Sequence, residues 1–146
     1  MNEAIERFVQ SQQIAVVGAS SSLRKFSGTV GPTLRERGFQ IFAVNPNREA
    51  INNEKCYKDL KELPPTVESA LFVLPSQFAE ETLNEASADG IRRIWFQQGG
   101  DYSKAATLAT QSGIETIVGK CILMYAPPVT GFHAFHKFVA KLFRLA

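Results

Sequence analysis

The chain has 146 residues, a length that fits one domain able to bury a real core. Hydrophobic residues at 45% and charged residues at 21% exclude disorder, and ten Gly and seven Pro exclude collagen-like or low-complexity sequence. A net charge of +2 gives no reason to expect nucleic acid, and no apolar run is long enough to span a membrane as a helix.

In chain order, Asn2 to Ser11 sets Ile5, Phe8 and Val9 at helical spacing and predicts a short helix. Its acids, Glu3 and Glu6, and the lack of a long apolar core exclude a secretory signal. Gln13 to Gly18 is a continuous apolar run closed by Gly, the pattern of a strand buried on both faces. Thr33 to Arg37 predicts a helix beginning near Pro32, with Gly38 as its stop. A second strand, Phe39 to Val44, ends at the turn cluster Asn45-Pro46-Asn47. A third, Ser69 to Leu74, ends at Pro75. The stretch Phe78 to Ala86 then predicts a helix, with Ser76 as its N-cap.

Arg93 to Phe96 is a fourth strand, stopped by Gln97-Gln98-Gly99-Gly100. An Ala-rich helix follows over Ser103 to Gln111, capped by Asp101 or Ser103, and a fifth strand runs from Glu115 to Val118, stopped by Gly119. Finally, Phe132 to Leu145 lines up Phe132, Phe135, Phe138, Val139, Leu142 and Phe143 on one stripe. That helix either closes the fold by packing on the sheet or offers a dimer face or a basic surface. Strand–helix alternation predicts an α/β fold: a Rossmann-like doubly wound parallel sheet of about five strands, in three α/β/α layers, forming a single domain over residues 1–146. Two cysteines, Cys56 and Cys121, make no disulfide scaffold, and the cytoplasm is the expected compartment.

Ligands of open parallel sheets bind at the carboxyl ends of the strands, so the loops there hold the candidate site. The first is Gly18-Ala19-Ser20-Ser21-Ser22, followed by Arg24 and Lys25. Gly18 allows a sharp turn, and the small residues after it can leave backbone N–H groups open to a phosphate near the start of a helix. It is neither a GxGxxG nor a P-loop, and an unoccupied tight turn remains the other reading. The second loop, Asn45-Pro46-Asn47-Arg48, has no acid where NAD needs a ribose ligand, and Arg48 with Arg24 and Lys25 suits extra phosphates. These cations can equally be solvated loop charges. The third and fourth loops, Leu74-Pro75-Ser76 and Gln97-Gln98-Gly99, offer backbone, hydroxyl and amide groups without a titrating catalyst.

Val16-Val17-Gly18-Ala19-Ser20, Lys25, Val30, Leu34, Gly38-Phe39, Val44-Asn45-Pro46-Asn47, Tyr57, Leu63-Pro64, Gly90 and Ile94-Trp95-Phe96-Gln97 occur in one ordered set. Together they resemble the CoA-binding domain family, proteins similar to the N-terminal domain of the succinyl-CoA synthetase alpha subunit. The resemblance covers roughly residues 12 to 125. It implies that Gly18, Ala19, Ser20 and Ser21 hold CoA phosphates with Lys25 nearby, and that Arg48 follows the Asn-Pro turn as the family's basic residue. It also assigns Leu74, Pro75, Ser76, Gln97, Gln98 and Gly99 to the ligand's path. Where many relatives carry an acidic-Arg-Cys segment, this chain reads Gly119-Lys120-Cys121. The synthetase's phosphorylated histidine belongs to a second domain, and no residue here takes its role.

Other chemistry is weaker. His133 and His136 are three apart without a carboxylate or thiol near in sequence, so no metal site is expected. Cys121 has two readings, a buried structural thiol or one that forms a mixed disulfide with a bound thiol. Asp101 reads as a helix cap. The expected function is non-catalytic binding of coenzyme A or an acyl-CoA; the alternative is a nucleotide-cofactor enzyme, NAD(P)-dependent or acyl-CoA-using. CoA is the expected partner, with no nucleic acid or membrane, and a homo-oligomer or a protein partner stays open.

Overall fold

The computed structural model describes residues 2–86 and 90–128. The proposed C-terminal helix, with His133 and His136, lies outside them. Helix α1 (Glu3–Gln10) is capped by Asn2, whose side chain accepts from the Ile5 N–H. Strand β1 (Gln13–Val17) leads to α2 (Phe26–Glu36) and β2 (Gln40–Val44). Two short strands follow, β3 (Ala50–Ile51) and β4 (Glu54–Tyr57). The chain then forms β5 (Ser69–Phe72), α3 (Ala79–Ala86), β6 (Arg93–Gln97), α4 (Ser103–Gln111) and β7 (Glu115–Lys120).

The sheet has seven strands in the order β3-β4-β2-β1-β5-β6-β7. The five expected strands form its centre and one flank, all parallel. On the other flank β4 pairs parallel to β2, and β3 pairs antiparallel to β4. Sequence reading passed over this hairpin because two- and four-residue strands are too short to show a hydrophobic period. Its turn nevertheless has a signal: Asn52 and Asn53 have φ of 53° and 66°, the left-handed pair that a two-residue hairpin requires.

Alternate residues of each strand enter opposite cores. Ile14, Val16, Leu71 and Trp95 meet α1 and α2 through Ile5, Phe8, Val30 and Leu34. Ala15, Val17, Phe72 and Phe96 meet α3 and α4 through Ala79, Leu83, Ala105 and Ala109. The result is the three-layer α/β/α arrangement. Phe8 packs edge-on against Trp95 with ring centroids 5.3 Å apart, a contact worth about 0.5–1.5 kcal/mol beyond area burial.

Several boundaries differ from expectation. Helix α2 begins at Phe26, not near Pro32, and Pro32 lies inside it. Proline there forfeits one backbone hydrogen bond, yet Val30 and Leu34 are fully buried, and that packing outweighs the local preference. Ser76 does not cap a helix; it opens a short 3-10 turn, Ser76–Phe78, ahead of α3. Gly119 does not stop the last strand, because its φ of 72° is absorbed at an irregularity in the β6–β7 register. The third strand stops at Phe72, two residues earlier than expected. The N-cap position of α4 falls to Tyr102, with no side-chain cap, so neither Asp101 nor Ser103 takes it. Asp101, one residue earlier, accepts from the Ser103 N–H and hydroxyl, and these bonds hold its carboxyl below the usual range.

Candidate functional site

Strand β1 is central, and the chain leaves it first toward β2 and later toward β5 on its other side. A crevice opens at the carboxyl ends of strands where order reverses in this way. At that point Gly18 has φ of 95°, and a Cβ on it would stand 2.6 Å from the Leu74 backbone nitrogen. The loops after β1 and β5 therefore meet backbone to backbone. Any other residue at position 18 would part them.

The loop beyond Gly18 coils tightly onto the start of α2. The Ser20 N–H donates to the Ser27 carbonyl at 3.0 Å, and the Ser20 and Ser27 hydroxyls are 2.9 Å apart. A Cβ at Gly28 would lie 2.0 Å from the Ser22 carbonyl oxygen, so this coil requires glycine there. The expectation of a row of open donors is corrected in part. Ser20's N–H is used inside the loop, and Gly18's donates to the Val44 carbonyl at 2.9 Å. The N–H groups of Ala19 and Ser21 find no acceptor among the described residues. Helix α2 has Lys25 at its N-cap position with no side-chain cap, and no acid in its first turn. Its positive end is thus left uncompensated, an arrangement that favours an anion.

The end of β2 is tied into the same loop. Asn45 donates its side-chain N–H to the Ala19 carbonyl at 2.9 Å and accepts from the Asn47 N–H at 2.9 Å. Its amide serves the fold. Arg48 turns its guanidinium toward the loop, donating to the Ser21 hydroxyl at 3.4 Å. Arg24 and Lys25 are exposed.

On the far side the walls come from the loops after β5 and β6. The Tyr102 hydroxyl donates to the Leu74 carbonyl at 2.6 Å, and its ring lies 5.3 Å from that of Phe96. Burial pushes the Tyr102 phenol pKa up. Gly100 makes room for that ring, since a Cβ there would sit 2.6 Å from it. Gln97 is only 8% exposed; its side-chain oxygen accepts from the Ile122 N–H at 3.0 Å. The Gln97 NH2 group has no acceptor among the described residues.

Two clefts share a wall made of Gly18, Leu74 and Pro75. The smaller, of about 380 Å³, is lined by Asn45 and Pro46 together with Val17, Val44, Lys58, Leu60 and Phe78. The larger, of about 700 Å³, brings together Ser20, Lys25, Arg48, Ser76, Gln97, Gln98 and Gly99. Among the expected residues, Ala19, Ser21 and Arg24 line neither cleft. Ala19 is buried, Ser21 is exposed and accepts from Arg48, and Arg24 is exposed next to the exposed Leu23.

Sequence reasoning missed Tyr102 and Phe26 as lining residues, as their roles depend on long-range packing. Cys121 also lines the larger cleft and is partly exposed, which overturns its reading as a buried structural thiol. Cys56 is the buried one, and burial pushes its thiol pKa up. Among the described residues no group of three His, Cys, Asp or Glu could hold a metal, and no helix is long and apolar enough to cross a membrane.

Known proteins resemble this chain in sequence and fold. The alpha subunit of the ADP-forming acetate–CoA ligase II of Pyrococcus furiosus is 33% identical over 91 residues, covering 62% of this chain and 20% of that subunit. The ADP-forming acetate–CoA ligase II of Archaeoglobus fulgidus is 31% identical over 83 residues, 56% of this chain and 12% of the ligase. The chain thus spans a fifth or less of these relatives. Among solved structures, a conserved hypothetical protein from Pyrococcus furiosus is 33% identical with a TM-score of 0.72, covering 76% of this chain and 96% of that one. A hypothetical protein from Pyrococcus horikoshii OT3 has the same fold, with a TM-score of 0.78 at 22% identity over 95% of this chain and 92% of its own. The CoA binding domain family matches residues 12–127, and the chain belongs to that family.

Proposed function

We propose that this chain binds coenzyme A or an acyl-CoA at the carboxyl edge of its sheet, without itself catalysing a reaction. The observation that carries the reading is the convergence of an uncapped helix start, a tight serine loop and the Arg48 guanidinium on one cleft. Anions are stabilised at such a place by free N–H groups, the helix dipole and a nearby cation. In this reading the diphosphate lies over Ala19, Ser20 and Ser21 with Lys25, and the ribose 3′-phosphate meets Arg48. The smaller cleft, with its apolar Val17, Val44, Leu60 and Phe78, takes the adenine. The pantetheine arm follows Leu74, Pro75 and Ser76 toward Gln97, Gln98 and Gly99.

An enzyme using NAD(P) is supported less. A ribose wants a carboxylate at the end of the second strand, whereas Asn45 stands there with its amide engaged by Ala19 and Asn47. Of the titratable groups that line the larger cleft, Tyr102 has its hydroxyl engaged by the Leu74 carbonyl. The family relatives that are ligases have most of their length elsewhere. We therefore assign this chain the binding step alone, as one domain working in the cytoplasm.

Calorimetric titration with CoA, dephospho-CoA and NAD tests the reading, together with native mass spectrometry of freshly purified protein for a co-purified ligand. CoA is expected to bind tightest. Tighter binding of NAD, or none of CoA, overturns it.

A further inference from the structure

The larger cleft runs across the sheet from the loop after β1, past those after β5 and β6, to Cys121 just beyond β7. That path crosses three strand spacings, roughly 14 Å at the usual separation of neighbouring strands. The pantetheine arm of CoA has the reach of about four extended residues, again roughly 14 Å. A ligand whose diphosphate rests at Ser20 and Lys25 therefore brings its sulfur to the far wall. The thiol found there is partly exposed.

A second feature marks this end of the cleft as built for a ligand. Gln97 is 92% buried by its 8% exposure, and it lines the cleft beside Cys121. Its oxygen is fixed by the Ile122 N–H at 3.0 Å, leaving its NH2 with no acceptor among the described residues. A buried donor left unpaired is costly, and a pantetheine carbonyl would satisfy it.

Resting on the CoA-binding reading, we propose that Cys121 is a capture site for the ligand's sulfur, reacting with CoA disulfides to form a protein–CoA mixed disulfide. In the reaction the Cys121 thiolate attacks one sulfur of the bound CoA disulfide. A new bond forms between Cys121 Sγ and that sulfur, and the original S–S bond breaks. The other CoA leaves as a thiolate and takes up the proton that Cys121 gave up. Thiols and disulfides balance, so no further oxidant is required. The reverse exchange with a free thiol releases the ligand. Cys56 is the internal control, since it is 4% exposed and its Sγ–H lies 3.7 Å from the Asn45 carbonyl.

The experiment incubates the full chain with CoA disulfide, and separately with glutathione disulfide, and follows the intact protein mass. One CoA is expected to add to the wild type and to Cys56→Ser, none to Cys121→Ser, and dithiothreitol to remove it. Binding raises the local concentration of the disulfide, so at micromolar reagent CoA disulfide should react roughly a hundredfold faster than glutathione disulfide. Calorimetry with reduced CoA runs in parallel on the wild type and reads whether the ligand binds at all. If reduced CoA binds but no adduct forms, or the adduct forms on Cys56, the capture site is overturned and the binding reading stands. If reduced CoA fails to bind and both disulfides modify Cys121 equally fast, both are overturned.

Discussion

Gly18 and Leu74 approach so closely that a Cβ on Gly18 would stand 2.6 Å from the Leu74 backbone nitrogen. This single approach joins the loops after β1 and β5 and sets the wall between the two clefts. Gly18→Ala is expected to lose more stability than Gly99→Ala. Both have positive φ, 95° and 106°, but a Cβ at Gly99 meets nothing within 4 Å. Backbone strain alone predicts about 1–2 kcal/mol for Gly99, and the clash adds to it at Gly18. Urea unfolding of the two variants measures the difference; equal midpoints would refute it.

The phosphate assignments are separable. Ser20→Asp places a negative charge against the start of α2 and is expected to abolish CoA binding while leaving the thermal midpoint within a few degrees. Arg48→Ala is expected to narrow the preference for CoA over dephospho-CoA. A charge-assisted contact of about 1.5–3 kcal/mol makes that preference about ten- to a hundredfold in the wild type. Calorimetry at fixed salt reads both variants, and equal wild-type affinities for the two ligands would remove Arg48 from the 3′-phosphate.

Tyr102→Phe removes the donor to the buried Leu74 carbonyl. The expected cost is about 1–3 kcal/mol, because an acceptor is left unpaired. Burial raises the Tyr102 pKa above its ordinary value of 10.0, so folding favours the neutral phenol. That contribution is complete below the unfolded value and is lost as pH rises through the folded one. Unfolding measured between pH 9 and 11 should therefore decline less steeply for the Phe variant than for the wild type.

At acid pH the sensitive contact joins the ends of the described chain. Arg7 on α1 donates through Nε to both Glu115 oxygens at 3.0 Å, and this holds the Glu115 carboxyl below its ordinary 4.5. A depressed pKa gives stability that is present above the unfolded value and lost as pH falls through the folded one. Hydrogen exchange of the α1 amides should accelerate at pH 3 relative to pH 7, after correction for intrinsic rates. Glu115→Gln should show a smaller difference between the two, and an unchanged difference would exclude Glu115 as the cause.

Strands β1, β5 and β6 were legible because each is an apolar run buried on both faces, and the turn residues that end them mark the edge where the clefts open. Arg48 was legible too, as a cation following a strand. Tyr102 was not, because its partner Leu74 is 28 positions away and only the assembled sheet brings them together. The Ser20 N–H looked free for a similar reason. Small residues in a row show that a chain can turn sharply, but not which donors the turn itself consumes. Pro32 misled because a local rule was read where the burial of Val30 and Leu34 decides.

The wall of Gly18, Leu74 and Pro75 stands between two compartments, one lined by Val17, Val44, Leu60 and Phe78 and a larger one lined by Ser20, Lys25, Arg48 and Gln97. A molecule that straddles it is held at both ends while losing its freedom to tumble only once. Cut in two at the diphosphate, the same molecule would have to meet that loss twice, so an adenosine bisphosphate and a pantetheine offered together would bind far more weakly than their covalent union. Selectivity for the whole ligand over the much commoner adenine nucleotides would then come from the span of the ridge, with no side chain needed to reject them.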